Sequence, residues 1–250
     1  MAHQSTRSHR RTYRKSVQVP SRRQTPAPDI TQEFFYAPNG QAFVGEPRVL
    51  YIDIETSPVK FWGWPPLHEP SVLSVIEETK ILCVSYRWGH ESKTRIMSLP
   101  RFRGYRPHVV NDFLLCKALW KIINAADVIV AHNGDRFDIK KINGRFFING
   151  IEPPTDYITI DTLKVARRFL GLDSNKMGSI CQYLGIGQKL ATRGKDTWLG
   201  CIAGDGASWR EMEAYNVHDT DLLVKVCAAL MPWARSKPNR RRALEAKGYA

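Results

Sequence analysis

Residues 49–56 read VLYIDIET, an apolar run into which two carboxylates intrude at alternate positions. Side chains alternate between the faces of a strand. Val49, Tyr51, Asp53 and Glu55 therefore share one face, while Leu50, Ile52, Ile54 and Thr56 share the other. Asp53 and Glu55 stand side by side, and burying two like charges is costly unless a cation or strong hydrogen bonds compensate. A divalent metal ion meets that requirement; so does a strand that frays near Glu55 and leaves both groups in water. Further strands are expected at 80–88 (KILCVSYRW), 94–99, 127–133 (DVIVAHN) and 157–160. Phe113, Leu114, Ala118 and Ile122 fall at helical intervals within 110–127, and 139–147, 162–169, 177–184 and 209–229 also read as helices. Residues 57–78, with FWGWPP at 61–66, start too rich in Pro and Trp for a regular element and are expected to run as a loop over the sheet. Three strands on short connections, followed by strands alternating with helices, predict an α/β fold with a mixed sheet and helices on both faces. There is no internal repeat.

At 250 residues and 43% hydrophobic content the chain can bury one substantial core. No apolar run approaches the ~18 to 20 residues that span a bilayer, and the N-terminus lacks the apolar core of a secretory leader, which argues for a soluble, intracellular protein. Five cysteines, scattered and without a CxxC pair, indicate neither a disulfide framework nor a zinc site. Charge alters the picture more. Residues 1–28 hold seven basic residues and no acid; residues 235–250 hold six basic residues and one acid. Removing those +7 and +5 from the total of +13 leaves +1 for residues 29–234. The expected organisation is a basic N-terminal arm (1–28), one folded domain (29–234) and a basic C-terminal tail (235–250). Phe34, Phe35 and Tyr36 would pack on the domain edge. Such arms suit sequence-independent contact with phosphates. The N-terminal arm equally fits a solubilising tail or, being Arg-rich and acid-free, a mitochondrial transit peptide.

Two more stretches carry candidate chemistry. In AHNGDRFDIKKI (131–142) a strand ends, Asn133 and Gly134 make a tight turn and Asp138 opens a helix. Alone, Asp138 would read as a helix cap or dipole partner. In YNVHD (215–219) Tyr215 and Asp219 lie four apart and so on one helix face. Together, a strand-borne DxE, then NxxxFD at a strand-to-helix junction, then YxxxD on a late helix resemble the DEDD, or DnaQ-like, exonuclease superfamily on a ribonuclease H-like fold. Tyr215 marks the DEDDy branch. The histidine-bearing branch wants His at position 213, which is Glu, and His218 does not fit that role. The resemblance spans roughly 49–230; IDTLKVAR (160–167) and SICQYLGI (179–186) agree with it. DIETSP, the FWGWPP loop and ILCVSYRWG look like a subgroup found in phage and bacterial genomes, which implies the cytoplasm of a bacterial or phage-infected cell.

The resemblance implies a metal-dependent 3′-to-5′ exonuclease acting on DNA, on single strands or frayed ends. Asp53, Glu55, Asp138 and Asp219 would hold two Mg²⁺ or Mn²⁺ ions, since hard oxygen ligands select these over zinc. Asp53 would bridge both ions, Glu55 and Asp219 would hold the first, and Asp138 would act on the second through water. Tyr215 would orient the attacking water, an ordinary phenol being too weak a base to take its proton. In this family the backbone around Thr56 meets the terminal nucleotide. Among less specific candidates, Asn133 would support the Asp138 turn, Asp135 reads as a solvated turn residue and His132 as a strand-end histidine. Lys176 and Lys189 could meet phosphate. Phe61, Trp62 and Trp64 could stack bases or pack on the domain edge. The same carboxylates would serve an exoribonuclease, and a non-catalytic nucleic-acid-binding protein acting through its basic arms is the competing class. The chain has no room for a polymerase, so a polymerase or a replication or recombination protein would be a separate partner, and no membrane is involved.

Overall fold

The computed structural model describes residues 46–64 and 71–234. Both basic arms and Phe34–Tyr36 lie outside them. β1 (Val49–Thr56) leads into β2 (Lys60–Trp64) and β3 (Ser71–Glu77), then β4 (Ile81–Trp88) and β5 (Arg95–Ser98). After a short 3-10 turn come α1 (Phe113–Asn124), β6 (Val128–Ala131), α2 (Asp138–Ile148), β7 (Ile158–Asp161) and α3 (Thr162–Phe169). α4 (Met177–Leu184), α5 (Lys195–Ala203) and α6 (Gly206–Ala234) follow. The main sheet has the order β5-β4-β1-β6-β7. β4 runs antiparallel to β1 and β5, whereas β6 runs parallel to β1 and β7, so the expected mixed sheet is present.

The alternation read from VLYIDIET separates two cores. Leu50, Ile52 and Ile54 pack with Leu115, Leu119 and Ile123 of α1 and Ile142 and Phe146 of α2. Val49 and Tyr51, on the other face, pack with Ala166 of α3, Ile180 of α4 and Leu222, Leu223 and Val226 of α6. Side chains on both faces of a mid-sheet strand must find a helix layer, and here each does. All five cysteines are buried and unpaired. Among the described residues no helix is long and apolar enough to cross a membrane.

Two elements depart from the sequence reading. The expected loop over 57–78 is largely a separate antiparallel hairpin, β2 with β3, its pairing shifted at Lys60/Phe61 and Trp62/Gly63. Aromatic and β-branched residues favour extended pairing, and they outweigh the loop signal of Pro65 and Pro66, which lie outside the described residues. Every residue of β2 is exposed. Helix α5 was not anticipated because its apolar residues lack helical spacing and Gly200 interrupts it. That glycine has a packing reason: a Cβ there would meet Ser208 Oγ of α6 at 2.0 Å.

An enclosed ion pair joins three elements behind the sheet. Asp112, which precedes α1, accepts from Nε and Nη2 of Arg145 on α2, both at 2.7 Å, from the Ile81 amide of β4 at 3.0 Å and from Asn149 Nδ2 at 3.2 Å. Burial pushes the Asp112 carboxyl up, but the guanidinium and amide donors hold it below its ordinary value. Breaking such a pair strands a buried charge at a cost of about 3 to 5 kcal/mol. Arg145→Leu is therefore expected to lower unfolding stability by that amount in urea titrations, while Arg145→Leu combined with Asp112→Leu recovers part of the loss. Equal stability of Arg145→Leu and wild type would contradict this account.

Candidate active site

The site forms where the carboxyl ends of β1 and β6 meet α6. β1 brings in Asp53 and Glu55, opposite Ser85 and Cys83 of β4. β6 ends at Ala131, and the chain turns through Asn133 at φ 65° and Gly134. A Cβ on Gly134 would meet the Ala131 Cβ at 2.4 Å, so only glycine lets the turn fold this closely on the strand. The Asn133 carbonyl accepts from the Phe137 amide at 3.0 Å and its amide donates to Asp161 Oδ1 at 2.9 Å. Asp161 also caps α3 through the Leu163 and Lys164 amides. Asp138 then starts α2, and its Oδ1 accepts from the Ile54 amide of β1 at 3.1 Å. Helix α6 lies across the Asp53 face: Ser85 Oγ donates to the Asn216 carbonyl at 2.7 Å and lies 2.6 Å from Thr220 Oγ1. This presents Tyr215 and Asp219 to the same spot.

Negative charge accumulates around Asp53. Burial, then Asp138, Glu55 and Asp219, push Asp53 well up. Burial followed by Asp219 pushes Glu55 up to about 8. Burial also takes Asp138 up to about 7 despite the opposing Ile54 amide. Positive charge enters from one side. Lys189 Nζ sits 2.6 Å from Asp219 Oδ2 and 3.0 Å from the Tyr215 hydroxyl, with its ammonium 5.3 Å from that ring's centroid. Burial lowers the Lys189 ammonium's proton affinity, but the Asp219 hydrogen bond outweighs it and the net shift is upward. Burial pushes the Tyr215 phenol up to about 12, against the Lys189 hydrogen bond.

Among the described residues no three His, Cys, Asp or Glu side chains form a ready coordination group. Asp53, Asp138 and Asp219 each have a partner: Asn216 Nδ2 holds Asp53 Oδ2 at 2.6 Å, the Ile54 amide holds Asp138 Oδ1, and Lys189 holds Asp219 Oδ2. Yet Asp219 is only 2% exposed and its Oδ1 is buried with no hydrogen-bond partner. A buried carboxylate oxygen with no donor, in a cluster of hard oxygen ligands short of positive charge, fits a hard divalent cation. A groove of about 790 Å³ opens over Asp53, flanked by Asn133, Arg167, Asn175, Lys176 and Lys189. A hollow of about 430 Å³ beside Phe147 and Tyr157 contains none of the cluster.

The remaining candidates are dispersed. Thr56 ends β1 at a shift in its pairing with β4. Trp62 and Trp64 stand on the hairpin, 68% and 66% exposed, and do not pack on the domain edge. Asp135 lies in the turn, partly exposed, and pairs at the surface with Lys164 Nζ at 2.6 Å. His132 Nδ1 lies 2.9 Å from Thr162 Oγ1, and burial holds the ring below its ordinary value. Glu213 turns away to Arg101, 2.6 Å from its Nη2, and to Ser98. His218 Nε2 lies 2.7 Å from the Gln188 carbonyl, which anchors the segment carrying Lys189. Sequence reasoning missed Asn216, which neighbours Tyr215 and is fully buried on Asp53. A polar residue on the face of a helix that must be buried was the available signal. It also missed Trp198 of α5, whose ring meets Tyr215 edge-on.

Comparison with known proteins bears on this arrangement. The family B DNA polymerase from the hyperthermophilic archaeon Pyrobaculum calidifontis superposes with a TM-score of 0.54 at 16% identity, over 77% of this chain and 25% of that one, a likeness of fold. The "DNA polymerase III PolC-type" of Ureaplasma parvum serovar 3 (strain ATCC 700970) is 42% identical over 67 residues, 26% of this chain and only 5% of the polymerase. The model of the RNase_H superfamily matches residues 77–231, more than half of the sequence, and includes Asp138, Tyr215 and Asp219. With its five-stranded mixed sheet between helix layers, the chain belongs to the RNase_H superfamily.

Proposed function

We propose that the protein is a metal-dependent 3′-to-5′ exonuclease of the DEDDy kind, acting on single-stranded DNA or frayed ends. The observation that carries this reading is the buried, partnerless Oδ1 of Asp219 within a cluster of four carboxylates beside Tyr215. Held by Asp53, Glu55, Asp138 and Asp219, two Mg²⁺ or Mn²⁺ ions would activate the attacking water and neutralise charge on the scissile phosphate.

The chain's own groups set the geometry around that chemistry. Asn216 and the Ile54 amide hold Asp53 and Asp138 at defined angles through one oxygen each, leaving the other oxygen of each carboxylate for ligation. The Tyr215 oxygen accepts from Lys189 and would orient the attacking water. A phenol pushed up to about 12 is a donor at neutral pH and does not take the proton. Lys189 and Lys176, which flank the groove, are suited to phosphate oxygens; Asn133, which also lines it, and Thr56 at the end of β1 would meet the terminal nucleotide. Trp62 and Trp64 face solvent on a hairpin that leaves the sheet three residues after β1, at the edge where Asp53 and Glu55 lie, and would stack unpaired bases upstream of the cleavage point. The basic arms, 1–28 and 235–250, would add sequence-independent phosphate contacts. A separate polymerase would be the partner in a proofreading role.

The decisive assay uses matched DNA and RNA single strands labelled at the 5′ end, incubated with Mg²⁺ or Mn²⁺. A ladder shortening from the 3′ end, abolished by EDTA and by Asp53→Asn, is expected on DNA. A ladder on RNA alone makes it an exoribonuclease. Intact strands that still shift on a native gel in EDTA make it a binding protein.

Asp53→Asn preserves an acceptor for Asn216 and relieves the repulsion, so its metal-free melting temperature should equal or exceed that of wild type. Asp53→Ala leaves Asn216 Nδ2 without its acceptor and should melt lower than Asp53→Asn.

Folding in the absence of metal should weaken with rising pH. Glu55 moves from 4.5 unfolded to about 8 folded, and Asp138 from 3.8 to about 7, so between those values the folded state keeps protons that the unfolded state has lost. His132, held below 6.5 in the fold, contributes the opposite slope below that value, which leaves pH 6.5 to 8 as the clean window. Melting temperature should fall across it in EDTA and flatten with millimolar Mn²⁺; a rise in EDTA would refute the assignment.

Replacing Trp62 and Trp64 together by alanine should weaken binding of a long single strand by about 1 to 3 kcal/mol per lost stack. Cleavage of a dinucleotide, too short to reach the hairpin, should be unchanged.

A further inference from the structure

Among the described residues Lys189 is the only basic side chain that pairs with a carboxylate of the cluster, and its root and its head differ in freedom. The root is anchored. Lys189 lies between α4 and α5, in a segment whose Ile186 and Gln188 carbonyls lie 3.5 Å from Lys225 Nζ and 2.7 Å from His218 Nε2, while Arg193 Nε farther on donates to Glu211 at 2.8 Å. All three partners stand on α6, the helix that carries Tyr215 and Asp219, so the Lys189 backbone is registered on the two groups its ammonium meets. The head is less confined. The side chain is 39% exposed and borders the groove over Asp53. Its stem passes Gly178 of α4, where a Cβ would lie 3.7 Å from the lysine Cγ and Cδ, so the missing side chain leaves the stem unpacked on that side.

We propose that Lys189 competes with the cations for Asp219: its ammonium neutralises that carboxylate in the metal-free site and moves along the groove onto a phosphate of the strand when cations load, which couples metal binding to strand capture. This rests on the exonuclease reading of the site. Asp219 has two oxygens, Oδ2 held by the ammonium at 2.6 Å and Oδ1 buried without a donor. A cation on Oδ1 and an ammonium on Oδ2 would repel each other across a single carboxyl group. The ammonium is the partner that can leave, being a compact charge on a flexible four-carbon stem. Phosphate is the anion that can receive it, since a strand brings one negative charge per nucleotide and Arg167 and Lys176 line the same groove. The move also releases the Tyr215 hydroxyl, which now takes the 3.0 Å bond from Lys189, for water. A lysine that served only as a phosphate contact would leave metal affinity unchanged on removal. One that served only to hold Asp219 in place would weaken it. A competitor strengthens it.

The test compares full-length wild type, Lys189→Met and Lys189→Gln for Mn²⁺ affinity by calorimetry without strand, for melting temperature in EDTA and in Mn²⁺, and for KM on a labelled single strand at several salt concentrations. Methionine keeps an apolar stem and removes the charge; glutamine keeps a donor for Asp219 and removes the charge. Both variants are expected to bind Mn²⁺ about tenfold more tightly, because a positive charge beside the ligand is gone. In EDTA Lys189→Met should melt below wild type, since Asp219 loses its partner, and Mn²⁺ should raise its melting temperature by more than it raises that of wild type. KM should increase in both, and its logarithmic dependence on salt should flatten by about 0.7, the share of one phosphate contact on a single strand. Where Lys189→Met does not fold without metal, Lys189→Gln carries the same expectations for affinity, KM and salt dependence. Mn²⁺ affinity equal to or weaker than wild type in the variants overturns the inference and leaves Lys189 as a fixed partner or a plain phosphate contact. Tighter Mn²⁺ binding with the KM and salt dependence of wild type overturns it as well, because the ammonium then has no phosphate to go to. A wild type that neither binds Mn²⁺ nor shortens the strand overturns the exonuclease reading itself and this inference with it.

Discussion

Carboxylates that feel one another's charge around Asp53 are the constraint on which the rest of this structure turns. Like charges at such range cannot all ionise without compensation, and the fold meets the requirement by several routes. Glu55 and Asp138 retain protons up to about pH 8 and about pH 7, Asn216 and the Ile54 amide donate to Asp53 and Asp138, and Lys189 places an ammonium on Asp219. The compensation is incomplete, as the partnerless Oδ1 of Asp219 attests. A site that receives cations, as proposed, must stay short of positive charge in their absence. A lysine at the rim and neutral donors in the interior satisfy both conditions, because a lysine on a four-carbon stem can withdraw and an amide does not compete for the cation.

Holding that arrangement requires a stiff frame. β1 contributes one face to each of two cores, so its carboxylates cannot shift register without exposing Leu50, Ile52 and Ile54. α6 is pinned across the sheet by Ser85, Asn216 and Thr220. The turn into α2 is set by the tight approach of Gly134 to Ala131 and by Asp161, which serves both that turn and the cap of α3. Behind the sheet, Asp112 and Arg145 tie α1, α2 and β4 into one unit. Apart from the turn at Gly134 and the cap of α3, these contacts join residues distant in sequence, and together they fix the angles of the elements that carry the carboxylates.

The β2–β3 hairpin contrasts with this frame. It is exposed on both faces, with Phe61, Trp62, Trp64, Val72, Leu73, Val75 and Ile76 all at least 40% accessible. An apolar concentration of that kind on a surface adds little to the core and is what the proposed base-stacking role would use. Its root lies between Thr56 of β1 and Ile81 of β4. The division of labour is that of a rigid scaffold with recognition on its margin.

Much of this was legible in the residues. The period-two pattern of VLYIDIET fixed which side chains face which core, the spacing of Tyr215 and Asp219 put them on one helix face, and the order of strands and helices announced the mixed sheet. These are properties of local geometry, which the chain cannot escape whatever it packs against. The hairpin was misread because proline and tryptophan signal a loop only until a second strand pairs with them, and α5 was missed because packing on α6, not periodicity, makes it a helix. Asn216, Trp198 and the grip of Lys189 on Asp219 could not be read at all: each depends on a partner 30 to 163 positions away or on another helix's approach. Sequence alone determined which face of its strand or helix each of Asp53, Glu55, Tyr215 and Asp219 stands on. Tertiary structure decided how their charges are compensated, because electrostatic energy depends on distance in space and on burial, and neither is a property of any segment by itself.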